Sequence, residues 1–197
     1  DHVYRPHQKL FYYRHIEAEP RIPFEEEVLF QDDLIVVADK PHFLPVTPGG
    51  RYLQESLLVR LKRKLGTETL APMHRIDRET AGLVVFTLNP ETRGQYQKLF
   101  SSREVHKRYE CVAPFRDRLV APMDYRSFVV AADHFMRMRE ADGPANAETR
   151  IEMQEEERGL ARYRLFPLTG KKHQLRVHMA ALGAPILHDQ IYPVHVP

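Results

Sequence analysis

The sequence predicts an α+β domain, and three observations carry that reading. Short alternating or continuous apolar stretches, such as "GLVVFTL" (82–88) and "LARYRLFPL" (160–168), mark strands. Segments with helical spacing, "QESLLVRLKRKLG" (54–66) and "HQLRVHMAALG" (173–183), fall among them. The two kinds are mixed without a regular βαβ repeat, which argues against a doubly wound sheet. The 197 residues suit one domain with an appendage, and 43% hydrophobic residues are enough for a core.

The elements follow in chain order. Residues 1–23 contain the alternating "QKLFYYRHIE" (8–17), a strand candidate, and Pro20 and Pro23 bracket a connector. "VLFQDDLIVVADKP" (28–41) reads as two strands around the turn-former Asp32-Asp33. "PHFLPVTPGG" (41–50), with three prolines and two glycines, is a loop with little freedom. In the helix at 54–66, Leu57, Leu58, Leu61 and Leu65 share one face and Gly66 stops the helix. The opposite face carries Arg60, Lys62, Arg63 and Lys64, a solvated face with a phosphate-contacting ridge as the alternative. "GLVVFTL" follows as a fully apolar strand. Asn89 as N-cap and Pro90 in the first turn start a helix at 91–102 that points Tyr96, Leu99 and Phe100 inward. "EVHKRYECVAP" (104–114) returns as a strand. "ETRIEMQ" (148–154) and "LARYRLFPL" alternate with period two and are joined by an acidic "EEERG" turn. The last helix, 173–183, closes at Gly183.

Composition excludes some functions. The net charge of +2 does not select nucleic acid, although "RLKRK" (60–64) and "HKR" (106–108) could form a basic groove while "FEEE" (24–27) and "EEE" (155–157) offset them elsewhere. The single cysteine, Cys111, cannot form an intramolecular disulfide or a thiolate zinc site. No segment reaches the roughly 18 apolar residues of a membrane span, and "DHVYRPHQKL" lacks the apolar core of a signal peptide. Without an initiating Met the chain reads as a fragment or a processed product. Among the eleven histidines, His173 and His178 are five apart and His188 and Asp189 lie nearby, but none has metal-ligand spacing. They read as structural histidines. There is no phosphate-loop fingerprint and no GxSxG elbow.

That leaves "MHRIDRETAG" (73–82). Asp77 sits between Arg75 and Arg78, with His74 three residues behind. Flanking arginines should lower the carboxyl pKa, making it a poor general base at neutral pH but a usable nucleophile. The plain alternative is an aspartate tied in a salt bridge at a strand entrance. Its company favours chemistry: "KKHQLRVH" brings Arg176 and His178, "LPVTPGG" could line a cleft, and Lys107 and Tyr109 offer a cation and a flat ring. An acid among cations and an aromatic suits a site that binds a phosphate backbone and holds a base.

Four motifs, "KPHFLPVTPGG" (40–50), "HRIDRETAGLVVF" (74–86), "VHKRYECVA" (105–113) and "LTGKKHQLRVHMAALGAPILHD" (168–189), occur in the order seen in the RluA-type RNA pseudouridine synthases. The chain resembles that family from about residue 28 to 192, and it fits the signature H-R-L/I-D-R-x-T-S/A-G throughout, with Ala81 at the small position. The resemblance implies a mixed, mostly antiparallel sheet flanked by helices, with a central active-site cleft. It implies a monomeric, cytoplasmic isomerase acting on uridine in structured RNA, ribosomal or transfer, with no cofactor, metal or membrane partner. Asp77 is then the catalytic aspartate, Tyr109 the tyrosine that packs on the target base, and Arg176 the arginine that pairs with the aspartate, with Leu175 beside it. Arg75 enters the RNA stack where the uridine has left. His74, Arg78, Thr80, Lys107 and His173 are the remaining substrate-binding candidates. Whether the carboxylate attacks C1′, attacks the base or assists an elimination stays open.

Two departures bear on substrate choice rather than on chemistry: Lys171-Lys172 where many relatives carry Arg-Thr, and Thr47 where histidine is common. By the same resemblance, residues 1–21 are an extension that reads as the tail of an S4-like RNA-binding domain, and 22–197 the catalytic domain, ending early. Two rivals remain. One is a non-catalytic RNA-binding module of this fold. The other is a phosphoester hydrolase, which would want a second carboxylate or a metal that no spacing supplies.

Overall fold

The computed structural model describes residues 19–134 and 136–193. The strand candidate at 8–17 and most of the 1–21 extension lie outside the described residues. The fold divides into two compact units, one up to Thr92 and one from Arg93. Among the described residues, every strand pairing is antiparallel, and the strands form two sheets. None of the helices described is long and apolar enough to cross a membrane.

The first unit holds β1 (Glu27–Gln31), β2 (Ile35–Lys40), α1 (Leu57–Leu65), β3 (Ala71–Pro72) and β4 (Gly82–Thr87), with sheet order β1-β2-β4-β3. The β1–β2 turn forms at Asp32, whose Oδ1 accepts the backbone N–H of Leu34 and Ile35 at 2.8 and 2.7 Å. Alternation along β2 points Val36, Ala38 and Lys40 inward, and all three are fully buried. Val84 and Phe86 of β4 face the same core with Leu44, Leu57 and Leu61. β4 is not buried on both sides, since Leu83 is exposed. Helix α1 begins at Leu57, later than the periodicity alone suggests. Its first N–H groups, Leu57 and Leu58, donate to the carbonyls of Pro45 and Val46, so the proline-rich loop caps the helix. Gly66 closes it at φ 63.

On the basic face of α1, Arg63 and Lys64 are exposed as expected, but Arg60 is not part of a solvated surface. Arg60 donates to Glu55 and Glu26 and to the carbonyls of Ile22 and Phe24, with its side chain 9% exposed. The hydrogen bond from Arg60 holds the Glu55 carboxyl below its usual range. Lys64 reaches the Glu26 carbonyl, and Lys62 pairs with Glu68. Arg60 and Lys64 thus staple the segment at 22–26 to the helix.

The second unit holds α2 (Arg93–Ser101), β5 (Tyr109–Pro114), a 3₁₀ turn (Asp117–Leu119), β6 (Met123–Ala131), β7 (Met138–Ala141), β8 (Ala147–Glu157), β9 (Leu160–Pro167) and α3 (Gln174–Ala181). Its sheet order is β5-β9-β8-β6-β7. Strands β6 and β7 lie in a stretch from which the sequence yielded no element. In α2, Tyr96 and Phe100 are partly buried but Leu99 is exposed and no residue is fully buried, so the inward face its periodicity suggests is only partly formed. The acidic run at 155–157 is strand, not turn. It completes β8, and the turn is Arg158-Gly159, both at positive φ (53 and 79). On that edge Glu155 and Glu110 pair with Arg162. The core gathers Tyr163, Leu165, Ile151, Met179 and Leu182.

Candidate active site

Asp77 lies in the loop between β3 and β4, partly buried. Its carbonyl accepts the N–H of Thr80 at 3.0 Å, which closes a turn over Asp77–Thr80. Two bonds brace the loop from behind. Met73 N–H reaches the Val85 carbonyl, and the Val85 N–H donates to Nε2 of His74 at 3.2 Å. Thus His74 holds the loop on β4, with Nε2 as the acceptor. Arg78 pairs with the carboxylate of its neighbour Glu79 at 2.8 Å and lies over the Tyr52 ring, 5.9 Å from its centroid. Arg75 is the exposed member of the collar.

Sequence reasoning missed Lys40, the residue that organises this loop. Its ammonium, fully buried, donates to the carbonyls of Pro41 (3.0 Å), Leu44 (2.7 Å) and Arg78 (3.2 Å). All three ammonium hydrogens are used. One cation therefore ties the loop at 41–44 to the turn that carries Asp77. His42 adds a second tie, its Nδ1 meeting the Glu79 carbonyl at 2.6 Å. The signal was available, because period-two alternation from Val36 and Ala38 places Lys40 on the buried face.

Burial pushes the Lys40 ammonium down to about 8, against the opposing pull of Glu79 and Asp77. Its folded pKa therefore lies below the unfolded value of about 10.4. Between those limits the unfolded chain binds more protons, so the stability that Lys40 contributes rises with pH across the window from about 8 to 10. Lys40→Met has no proton to lose and so lacks this pH dependence. The urea midpoint of wild type should rise relative to that of Lys40→Met from pH 7 to pH 9.5; an unchanged difference would place the ammonium in a solvated site.

The other predicted residues belong to the second unit. Tyr109 opens β5, pairs with Leu165 of β9 and packs with Leu175 against that unit's core. Lys107 donates to the Thr169 carbonyl at 3.3 Å. Burial lowers its pKa, and the nearby Arg103 adds to the effect. Arg176 on α3 is buried, and its Nε and Nη2 both reach the carboxylate of Asp189 at 2.7 Å. Asp189 also accepts the N–H groups of Ile191 and Tyr192. Burial alone would raise its pKa, but the bonds from Arg176 and Ile191 outweigh it and hold the carboxyl below the usual range. The Tyr192 ring lies 5.2 Å from the Arg176 guanidinium, and its hydroxyl meets His173 Nδ1 at 3.0 Å. Asp189 and Tyr192 thus frame Arg176, a role their spacing in the chain did not announce.

The loop before α3 is shaped by Gln174, which is buried. Its amide donates to the Glu148 carbonyl and Thr149 Oγ1, and its oxygen accepts from Thr169 and Lys171. His178 is structural, as expected. It lies between Thr149 and Ser127 hydroxyls at 3.0 and 3.1 Å, and burial pushes it down to about 4, so it is neutral at pH 7. Among the described residues no group of three or more His, Cys, Asp or Glu could hold a metal ion.

Comparison with known proteins places these two sets of residues in one sequence family. The family model for RNA pseudouridylate synthase matches residues 34–181. An uncharacterized RNA pseudouridine synthase of Synechocystis is 30% identical over 195 residues, covering 94% of this chain and 64% of its own length. The dual-specificity RNA pseudouridine synthase RluA of Haemophilus influenzae is 31% identical over 192 residues, 90% of this chain and 81% of its own. The chain thus spans a little less than two thirds of the Synechocystis protein. Among solved structures, human RNA pseudouridylate synthase domain containing 4 superposes with a TM-score of 0.65 at 29% identity, over 84% of this chain and 68% of that one. The α+β fold is the one these relatives share.

Proposed function

The chain belongs to the RluA-type family of RNA pseudouridine synthases, and from that membership we propose that it isomerises specific uridines in structured RNA to pseudouridine with Asp77 as its catalytic carboxylate. The observation that carries the reading is the setting of Asp77. Within the signature 74–82, Asp77–Thr80 forms a closed turn, braced by His74 and by the buried Lys40, so the backbone holds the carboxylate in place before substrate arrives.

In the proposed reaction the C1′–N1 bond breaks, the uracil rotates, and C1′ bonds to C5. The C5 proton leaves to water and N1 takes up a proton. The reaction is redox-neutral and needs no organic cofactor or metal. Arg176, framed by Asp189 and Tyr192, serves the Asp77 carboxylate or a substrate phosphate, and the Tyr109 ring packs on the target base. Arg75, exposed on the loop, fills the stack that the uridine leaves. The enzyme works as a monomer on ribosomal or transfer RNA in the cytoplasm.

The test is tritium release from C5-labelled uridine in total ribosomal and transfer RNA. Release by wild type establishes the reaction and identifies the RNA pool; a folded protein that binds RNA without release from either pool would instead be a binding module. Arg75→Ala should lower turnover on folded RNA by about tenfold, since extruding a stacked base costs a few kcal/mol, and should change turnover on an unstructured strand less than twofold. Equal losses on both would remove the stack-filling role.

A further inference from the structure

Phe43 is held at φ 67 while the residue is 48% exposed. A bulky L residue avoids the left-handed region, where the side chain crowds its own backbone. Among the described residues five non-glycines have positive φ, and the other four, Arg103, Arg158, His173 and His188, are polar or charged. Arg158 sits in a tight hairpin turn, and His173 starts α3 with its ring against Tyr192. Phe43 also sits in a turn, but a glycine would fit that backbone without strain, and no bond of the turn requires a phenyl ring.

The conformation is enforced from below. Lys40 donates to the carbonyls of Pro41 and Leu44, the two ends of the turn that contains Phe43. The same ammonium reaches Arg78, and His42 reaches Glu79. The strained turn and the Asp77 turn are therefore one bonded assembly, and Phe43 is presented at its surface. The Phe24 ring lies 6.2 Å away at 36° and is itself 47% exposed; the His42 ring is 6.0 Å away on the chain neighbour's side. An exposed aromatic cluster thus borders the turn that carries the carboxylate. Folds retain strain of this kind where it holds a side chain for use.

We propose that Phe43 is a nucleobase-stacking residue of the RNA site, taking an unpaired base that neighbours the uridine on which Asp77 acts. The proposal rests on the uridine-isomerase reading. Removing one base from a stack leaves its neighbour with an uncovered face, and splayed bases in RNA are held on aromatic side chains. Such stacking tolerates any base, because each has a π face. Phe43 would then help decide which loops can open at this site, without reading their sequence by hydrogen bonds.

The test compares Phe43→Gly, Phe43→Leu and Phe43→Tyr. The glycine variant removes the backbone strain, so its thermal midpoint should stay level or rise. Its KM for RNA should nevertheless increase about tenfold, with kcat changed less than twofold. A hairpin-loop RNA carrying 2-aminopurine beside a uridine should be quenched by wild type and by the tyrosine variant, and not by the glycine or leucine variants. Wild-type KM and quenching in Phe43→Gly or Phe43→Leu would overturn the proposal. The leucine variant decides the matter even if glycine loosens the loop. A wild type that releases no tritium yet quenches the probe through Phe43 would sink the isomerase reading and keep the stacking role.

Discussion

Asp77→Asn should abolish tritium release while leaving the fold and RNA affinity in place. The turn at 77–80 is closed by the Asp77 carbonyl, not by its side chain, so an amide of the same shape does not disturb it. What the amide lacks is the negative charge and the nucleophilic oxygen. Loss of a group that acts on the reacting atoms removes turnover far beyond a packing effect, here by at least about 10³-fold. Binding of the RNA draws on phosphate contacts spread over the surface, so its Kd should move less than twofold. Tritium release on the best RNA pool and a filter-binding titration, run together, check both halves. Residual turnover within tenfold of wild type would remove Asp77 from the chemistry, and a parallel loss of binding would make it a docking residue.

Arg176→Ala should be the most destabilising single change at the site. Arg176 and Asp189 are both buried, with side chains 9% and 4% exposed, and they share two charge-assisted bonds. Truncating the arginine leaves the Asp189 carboxylate buried without its cation, which costs about 3–5 kcal/mol. Its bonds from Ile191 and Tyr192 N–H persist and soften the loss. Urea denaturation of the variant should show a much lower midpoint, together with loss of activity. The double variant Arg176→Met, Asp189→Leu removes both charges and should recover much of the stability, because no ion is then left unpaired. It should not recover turnover. A double variant as unstable as the single one would mean that the pair is not the source of the loss; one with restored turnover would free Arg176 from any chemical role.

Lys40 and Phe43 belong to the same piece of chain and show opposite uses of a loop. Lys40 is charged and inside, Phe43 is apolar and outside. Each inverts the usual preference. The buried cation costs desolvation, which its three carbonyl bonds offset, and the result is a rigid link from the proline-rich loop to the Asp77 turn. Composition reads such a lysine as one more surface charge. Only its place in the alternation of β2 reveals it.

The sequence by itself determined many of the local elements and the family, though not β6 and β7. Turn chemistry at Asp32, the leucine face of α1, the alternation of β9 and the stop at Gly66 are local properties, set by residues a few positions apart. The ordered motifs around Asp77, Tyr109 and Arg176 were legible for the same reason, since each is contiguous. Tertiary structure decided everything that depends on partners distant in the chain. Arg60 is a buried staple rather than part of a solvated face because Glu26, Glu55 and two carbonyls meet it. Leu99 stays exposed although its spacing is helical, because periodicity states which residues share a face and not whether anything covers that face. The acidic run at 155–157 is strand because it pairs with β9, where Arg162 stands across the ladder from Glu155. The partners that support the site, Arg78 for the buried Lys40 and Asp189 for Arg176, needed the fold for the same reason: a hydrogen bond depends on distance in space, and these partners share no pattern in sequence.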